Sequence, residues 1–228
     1  MFYKDTRQVY RVAELDRLEW LDHGFGTREA GSWTPGPLAW VRQVHSARCV
    51  FADGWAGCLG EADCLVTDRP GSYLSIRTAD CIPILMADER LRAVAALHAG
   101  WRGTAQMIAL AAIETLRHGF GGRPQDLIAA IGPGICGKCY EVGPEVAGQF
   151  GRWFPERTDL TARTCLDLAE ANRRQLLEGG LDPSRIFTGA SCTCCRAGEF
   201  HSWRRDRVRT GRLVSAIAIR PETRRARA

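Results

Sequence analysis

Apolar residues in this 228-residue chain recur with the two-residue period of strands more often than with a helical period. Leu38–Phe51, Tyr73–Leu85, Arg92–Leu97, Leu127–Ile131, Arg185–Gly189 and Leu213–Ile219 combine β-branched content with alternation and predict strands. Three segments predict helices. Thr104–His118 sets Ala109, Ile113 and Leu116 on one stripe that Phe120 continues. Pro144–Phe154 is shorter, and Leu166–Gly179 stops at a Gly-Gly pair. Strands outnumber helices and do not interleave with them regularly. The expectation is therefore a mixed α/β (α+β) fold, a single-domain layered sandwich with a mixed β-sheet core flanked by helices, rather than a doubly wound parallel sheet. The stretch Gly24–Pro37, GFGTREAGSWTPGP, predicts a long surface loop, a kind of segment that often carries function.

Polar residues break this pattern at three places. In Tyr73–Asp88 an apolar run is interrupted at its centre by Arg77-Thr78-Ala79-Asp80-Cys81. Burying Arg and Asp mid-strand is costly without partners, so a site explains them better than stability does. Alternation puts Arg77 and Cys81 on one face and Asp80 on the other, and Pro83 implies an edge or irregularity just beyond. A second strand-like run, Val41–Val44, delivers His45. A third, RAVAAL, delivers His98 and passes through a glycine-punctuated turn into an Ala-rich helix. The N-terminus of that helix suits an anion, with Arg102, the Gly103 amide and Thr104 as its N-cap. One thiol and two imidazoles suit zinc or copper and leave a position open. The spacing of His45, Cys81 and His98 matches no short metal motif.

Composition narrows the classes. Hydrophobic residues make up 45% of the chain, enough for one sizeable core, and no linker, repeat or low-complexity block divides it. No run approaches a membrane span, and the charged N-terminal segment lacks the apolar stretch of a secretory signal, so a cytoplasmic protein is expected. Ten cysteines are then mostly reduced thiols and core filler. Cys192, Cys194 and Cys195, followed by His201, could form a structural zinc site, but their spacing matches no usual knuckle and no second pair stands at a suitable distance. Cys136 and Cys139 form a CxxC without a thioredoxin-like setting. The net charge is +5, and Arg204–Ala228 alone holds nine Arg against one Asp and one Glu. That excess sits in one C-terminal region ending in a solvated tail, ETRRARA, and is not read as a nucleic-acid footprint.

Taken in order, HGFGTRE (His23–Glu29), QVH (Gln43–His45), EADCLVTD (Glu61–Asp68), RTADCIPIL (Arg77–Leu85), HAGWRGT (His98–Thr104), IGPGICGKCYEV (Ile131–Val142) and FHSWRRD (Phe200–Asp206) cover nearly the whole chain. They resemble the multicopper polyphenol oxidase, or laccase-domain, family, whose members are described as purine nucleoside phosphorylases and, in some bacteria, as peptidoglycan editing factors. The resemblance implies one such domain over 1–221, a basic tail at 222–228, and a zinc or copper ion on His45, Cys81 and His98. The loop between His23 and Gln43 is shorter than the family's, which leaves substrate choice open.

Several functions share these residues. The first is metal-dependent phosphorolysis of adenosine, inosine or methylthioadenosine, with adenosine deamination besides. Its partners would be a nucleoside and phosphate, with no nucleic acid or membrane. Cys81, His98 and Asp80 would act in catalysis, Asp80 relaying protons or orienting an imidazole. Arg102, Arg77, Gly103 and Thr104 would hold phosphate. The second is a Cys–His hydrolase cleaving a cell-wall precursor amide, with Cys81 as nucleophile and His98 as base. Copper-dependent phenol oxidation and a closed, non-enzymatic metal module are the others. Five histidines are few for a multicopper centre.

Overall fold

The computed structural model describes residues 1–189 and 191–221. Two mixed sheets and a helical layer stack on one another. The first sheet runs β1 (Phe2–Lys4), β2 (Val9–Val12), β3 (Leu21–Gly26), β15 (Leu213–Ile219), β8 (Tyr73–Thr78), β4 (Leu38–Arg42) and β6 (Gly57–Glu61). The second runs β14 (Ile186–Thr188), β11 (Leu127–Ile131), β9 (Ile82–Asp88), β10 (Ala93–Ala99), β7 (Cys64–Thr67) and β5 (Cys49–Phe51). A two-stranded ribbon joins β12 (Glu141–Val142) and β13 (Thr164–Cys165). Most pairs are antiparallel; β4 with β6 and β8, β5 with β7, and β11 with β14 are parallel. The helices are α1 (Ala13–Asp16), α2 (Trp101–Ala105), α3 (Ile108–Phe120), α4 (Pro144–Ala147), α5 (Leu168–Glu178) and α6 (Trp203–Asp206).

Strand period accounts for the layering. In β9, Ile84 and Met86 face one way and Leu85 and Ala87 the other. In β10, Ala95 and Leu97 oppose Val94 and Ala96 in the same manner. Leu85, Ala87, Val94 and Ala96 pack on Phe25, Leu74, Ile76 and Ile217 of the first sheet. The opposite set packs under Ile108, Ala112, Ile113 and Leu116 of α3 and Leu168, Ala171 and Leu176 of α5. Being covered on both faces, β9 and β10 read as near-continuous apolar runs. The Gly24–Pro37 stretch begins inside β3 and then lays Trp33 over the outer face of the first sheet. The Trp33 indole donates to the Val214 carbonyl there.

Two expected strands are each two. Leu38–Phe51 divides into β4 and β5, and Tyr73–Leu85 into β8 and β9; in both cases the halves belong to different sheets. The polar residues that interrupt each apolar run mark a corner where the chain changes sheet, not a buried mid-strand charge. Arg77 is accordingly exposed and does not pair with Asp80, and one-strand alternation does not relate Arg77 to Cys81. The helix expected from Thr104 also divides. Met107 adopts a left-handed φ of 65° between α2 and α3. Buried Asn172 and Gln175 of α5 satisfy the broken turn. They donate to the Thr104 hydroxyl (2.9 Å) and carbonyl (2.7 Å), and the Gln175 carbonyl oxygen accepts from the Ala109 amide (3.3 Å). Pro144–Phe154 supplies only α4 and a following 3₁₀ turn. The tail expected at 222–228 lies outside the described residues.

Candidate functional site

Both sheet-changing corners and the end of β10 meet at one edge of the sandwich. His45 comes from the β4–β5 corner, Cys81 from the β8–β9 corner, and His98 from β10 on the face it shares with Val94 and Ala96. One ligand atom of each lies within 4.8 Å of the others. The two imidazoles meet edge to face with centroids 4.9 Å apart.

Asp63, fully buried just before β7, organises this trio. Its Oδ1 meets His98 Nδ1 at 2.7 Å and accepts the His45 amide at 3.0 Å. Its Oδ2 accepts the amides of Val44 (3.2 Å) and Ser46 (2.6 Å) and the Ser46 hydroxyl (2.9 Å). His45 takes a left-handed φ of 61°, which wraps the turn around the carboxylate. Asp63 thus fixes His98 Nδ1 and leaves Nε2 for the site, the arrangement by which carboxylates orient metal-binding imidazoles. Burial opposes ionisation of the Cys81 thiol, but His98 and His45 outweigh it and bring it down to about 6. Burial opposes protonation of His98, yet Cys81 and Asp63 raise it to about 9. Gly100 completes the recess: a Cβ there would fall 2.9 Å from His45 Cδ2 and 3.1 Å from Cys81 Sγ. A thiolate and two imidazoles around space that only glycine leaves open fit a zinc or copper ion with a free position.

The trio opens onto a cavity of about 720 Å³. Trp40, Trp101, Tyr140 and Trp203 supply its aromatic surface, and Arg77, Arg102, Arg204, Arg207 and Arg212 its charge. Among the described residues the one lining carboxylate, Asp80, is already engaged. It accepts from the Thr193 hydroxyl and the Arg204 amide, both at 2.6 Å, while its carbonyl accepts the Ile135 amide at 2.8 Å. Among the described residues no carboxylate pairs with Arg77 or Arg102, and the Arg102 guanidinium lies over the Trp101 ring at 4.3 Å. Gln43 ties the two corners together, exchanging bonds of 2.8 Å with the Arg77 amide and carbonyl.

The structure brings together His45, Cys81, His98, Asp80, Arg77 and Arg102, and it revises the roles around them. The carboxylate that orients an imidazole is Asp63, not Asp80, whose oxygens hold the cavity wall. Gly100, not Thr104, caps α2. Thr104 is fully buried against Asn172, and a Cβ on Gly103 would meet the Ser46 carbonyl at 2.8 Å, so neither side-chain position lines the cavity and Gly103 has only its backbone amide to offer an anion. Sequence reasoning gave no role to Asp63, Gly100 and Gln43, and it counted Arg204, Arg207 and Arg212 only as part of a basic C-terminal region. Beyond its place in the EADCLVTD motif, the sign of Asp63 was an acid directly before an apolar strand.

The model of a family described as multi-copper polyphenol oxidoreductase laccase matches residues 27–220. A purine nucleoside phosphorylase of Deinococcus radiodurans is 43% identical over 187 residues, covering 80% of this chain and 70% of its own. An adenosine deaminase, RL5, from an unknown prokaryotic organism is 34% identical over 195 residues, 79% of this chain and 74% of its own. The crystal structure of YlmD from Geobacillus stearothermophilus superposes with a TM-score of 0.83 at 29% identity, over 96% of this chain and 99% of that one. Among the described residues, no helix is long and apolar enough to cross a membrane.

Proposed function

The chain belongs to the multi-copper polyphenol oxidoreductase laccase family, and from that membership and the cavity's chemistry we propose that it is a metal-dependent purine nucleoside phosphorylase. Adenosine, inosine and methylthioadenosine are its substrates, with adenosine deamination as a second activity of the same centre. The observation that carries this is the cavity itself, in which five guanidinium groups face one engaged carboxylate, between aromatic walls and beside the His45–Cys81–His98 recess.

Each part has a task. Arg77 and Arg102, without carboxylate partners among the described residues, bind the phosphate dianion. Trp101, Tyr140, Trp40 and Trp203 offer faces on which a purine stacks. His45, Cys81 and His98 hold a zinc or copper ion, which supplies Lewis-acid polarisation of a substrate oxygen or a water. In phosphorolysis a phosphate oxygen bonds to the ribose C1′ as the C1′–N bond breaks. The electron pair leaves with the purine, which takes up a proton. Arg77 and Arg102 hold the phosphate against that carbon, and Asp63 keeps His98 in one tautomer throughout.

A Cys–His hydrolase is the alternative, favoured by one observation: Cys81, His98 and Asp63 form a nucleophile–base–carboxylate chain whose thiol titrates near 6. One experiment separates the two. The metal-quantified protein is incubated with adenosine, with and without phosphate, and products are identified by mass. Adenine and ribose 1-phosphate only when phosphate is present support phosphorolysis, and inosine without phosphate supports deamination. Neither product, together with an acyl adduct on Cys81, would replace both with the hydrolase.

A further inference from the structure

Four thiols outside the cavity come together from distant segments. Cys136 and Cys139 form one CxxC and Cys192 and Cys195 a second, and the Sγ atoms of all four lie within 4.8 Å of one another. We propose that these four cysteines bind a structural zinc ion that staples residues 134–142 to residues 192–206, and so holds one wall of the cavity.

The geometry carries the assignment. Zinc–sulfur bonds of about 2.3 Å in a tetrahedron place thiolates about 3.8 Å apart, so only small side-chain shifts separate this cluster from a closed four-sulfur site. Both loops make the same turn. The Tyr140 amide donates to the Cys136 carbonyl and the Arg196 amide to the Cys192 carbonyl, each at 3.1 Å. The loops are also held together without the sulfurs. Gly134 bridges Cys192, and the Thr193 amide donates to the Gly134 carbonyl at 3.0 Å. The Arg205 guanidinium grips the carbonyls of Thr193 (2.8 Å), Cys194 (2.9 Å) and Phe200 (2.8 Å). The frame is therefore built before a ligand arrives.

Core packing does not explain these thiols. Free cysteine is among the most buried residue types, yet Cys195 is exposed and Cys136 and Cys139 are only half-buried. Backbone amides are already turned toward sulfur, the Cys136 amide donating to Cys192 Sγ at 3.3 Å. Binding would release the thiol protons to solvent, and the Arg205 guanidinium, bonded to the Thr193 and Cys194 carbonyls, sits beside the resulting anionic centre. His201 is not a ligand; its Nδ1 accepts from the Gly211 amide at 3.3 Å. The second CxxC is hidden in the sequence because Cys194 makes the run read as CxCC, and its partner pair stands more than fifty residues upstream.

The stapled segments carry Ile135, Tyr140, Trp203 and Arg204 into the cavity, so the ion would set the wall without touching substrate. The test uses the full chain with His45, Cys81 and His98 all replaced by Ala, which removes the other candidate centre. Purified from zinc-replete cells, this variant should hold one zinc per chain, and its cobalt form should show the intense sulfur-to-metal charge-transfer band of four-thiolate coordination. Adding Cys139→Ser and Cys195→Ser should abolish both signals. In the wild-type chain, alkylation should spare Cys136, Cys139, Cys192 and Cys195 until a chelator is added, a readout that needs no variant to fold. A metal-free triple variant whose four thiols alkylate freely would overturn the assignment. So would a non-reducing peptide map joining Cys139 to Cys195, whose sulfurs stand 3.3 Å apart, because those thiols would then form a disulfide.

Discussion

Replacing Asp63 with Asn changes almost no volume but removes the charge on which the candidate centre is built. The carboxylate accepts five bonds, from His98 Nδ1 and the His45 amide at one oxygen, and from the Val44 amide, Ser46 amide and Ser46 hydroxyl at the other. An amide keeps one acceptor, so at least two donors lose theirs whichever way it turns. With the NH₂ toward His98, the imidazole must accept at Nδ1 and carry its proton on Nε2, the nitrogen left for the site. With the NH₂ toward Ser46, the turn that carries His45 loosens. Either outcome should weaken zinc binding at the trio by roughly 10–100-fold, equivalent to about 1.4–2.7 kcal/mol. The loss of at least two charge-assisted hydrogen bonds should destabilise the metal-free fold by about 3–6 kcal/mol. Competition with a chromogenic chelator, in a background lacking Cys139 and Cys195, reads the first quantity, and urea unfolding reads the second. Ser46→Ala removes one bond to Asp63 without touching His98 and should move zinc affinity far less. A folded Asp63→Asn protein with wild-type affinity would refute the reasoning and leave Asp63 as a prop for the turn alone.

Gly100→Ala should push aside the His45 ring and the Cys81 sulfur, since the new Cβ would fall within 3.1 Å of both. Overpacking of about 1–3 kcal/mol is expected, and zinc affinity measured in the same assay should fall. Arg102→Ala should raise the phosphate KM by roughly tenfold or more, the loss of one charge-assisted contact, and should spare deamination; equal losses in steady-state kinetics would count against a phosphate role. His23 is buried, its Nε2 accepts the Val12 amide at 2.9 Å, and burial lowers its pKa to about 3. Below the ordinary value of 6.5 the unfolded chain gains a proton that the folded chain refuses. Stability should therefore fall as pH drops from about 6.5 toward 3, by up to about 1.4 kcal/mol per unit. Urea midpoints at pH 7 and pH 5 should converge in His23→Gln, and an unchanged gap would show that other groups carry the effect.

Legibility differed between the elements and the site. The apolar runs Leu127–Ile131 and Leu213–Ile219 were readable to the residue, because strands covered on both faces read as near-continuous apolar runs that stop at charged residues or glycine. His45, Cys81 and His98 stood out because a polar side chain that closes or interrupts an apolar run requires an explanation. Asp63 did not, because an acid beside a strand is ordinary until its partners are known, and all of them come from other segments. Arg204, Arg207 and Arg212 were lost in a basic stretch for the same reason: charge composition says how many cations there are but not what they face.

Local chemistry was thus written into the chain: the strand-rich sandwich, the polar interruptions, and residues able to hold a metal and an anion. The change of sheet at two corners was not. The period of two is identical on either side of such a corner, so Leu38–Phe51 and Tyr73–Leu85 each read as one strand. The break at Met107 was equally hidden, since the buried amides of Asn172 and Gln175 stabilise it from another helix. The two thiol pairs stayed apart for the same cause. Periodicity records which residues want burial, and packing between distant segments sets which of them meet.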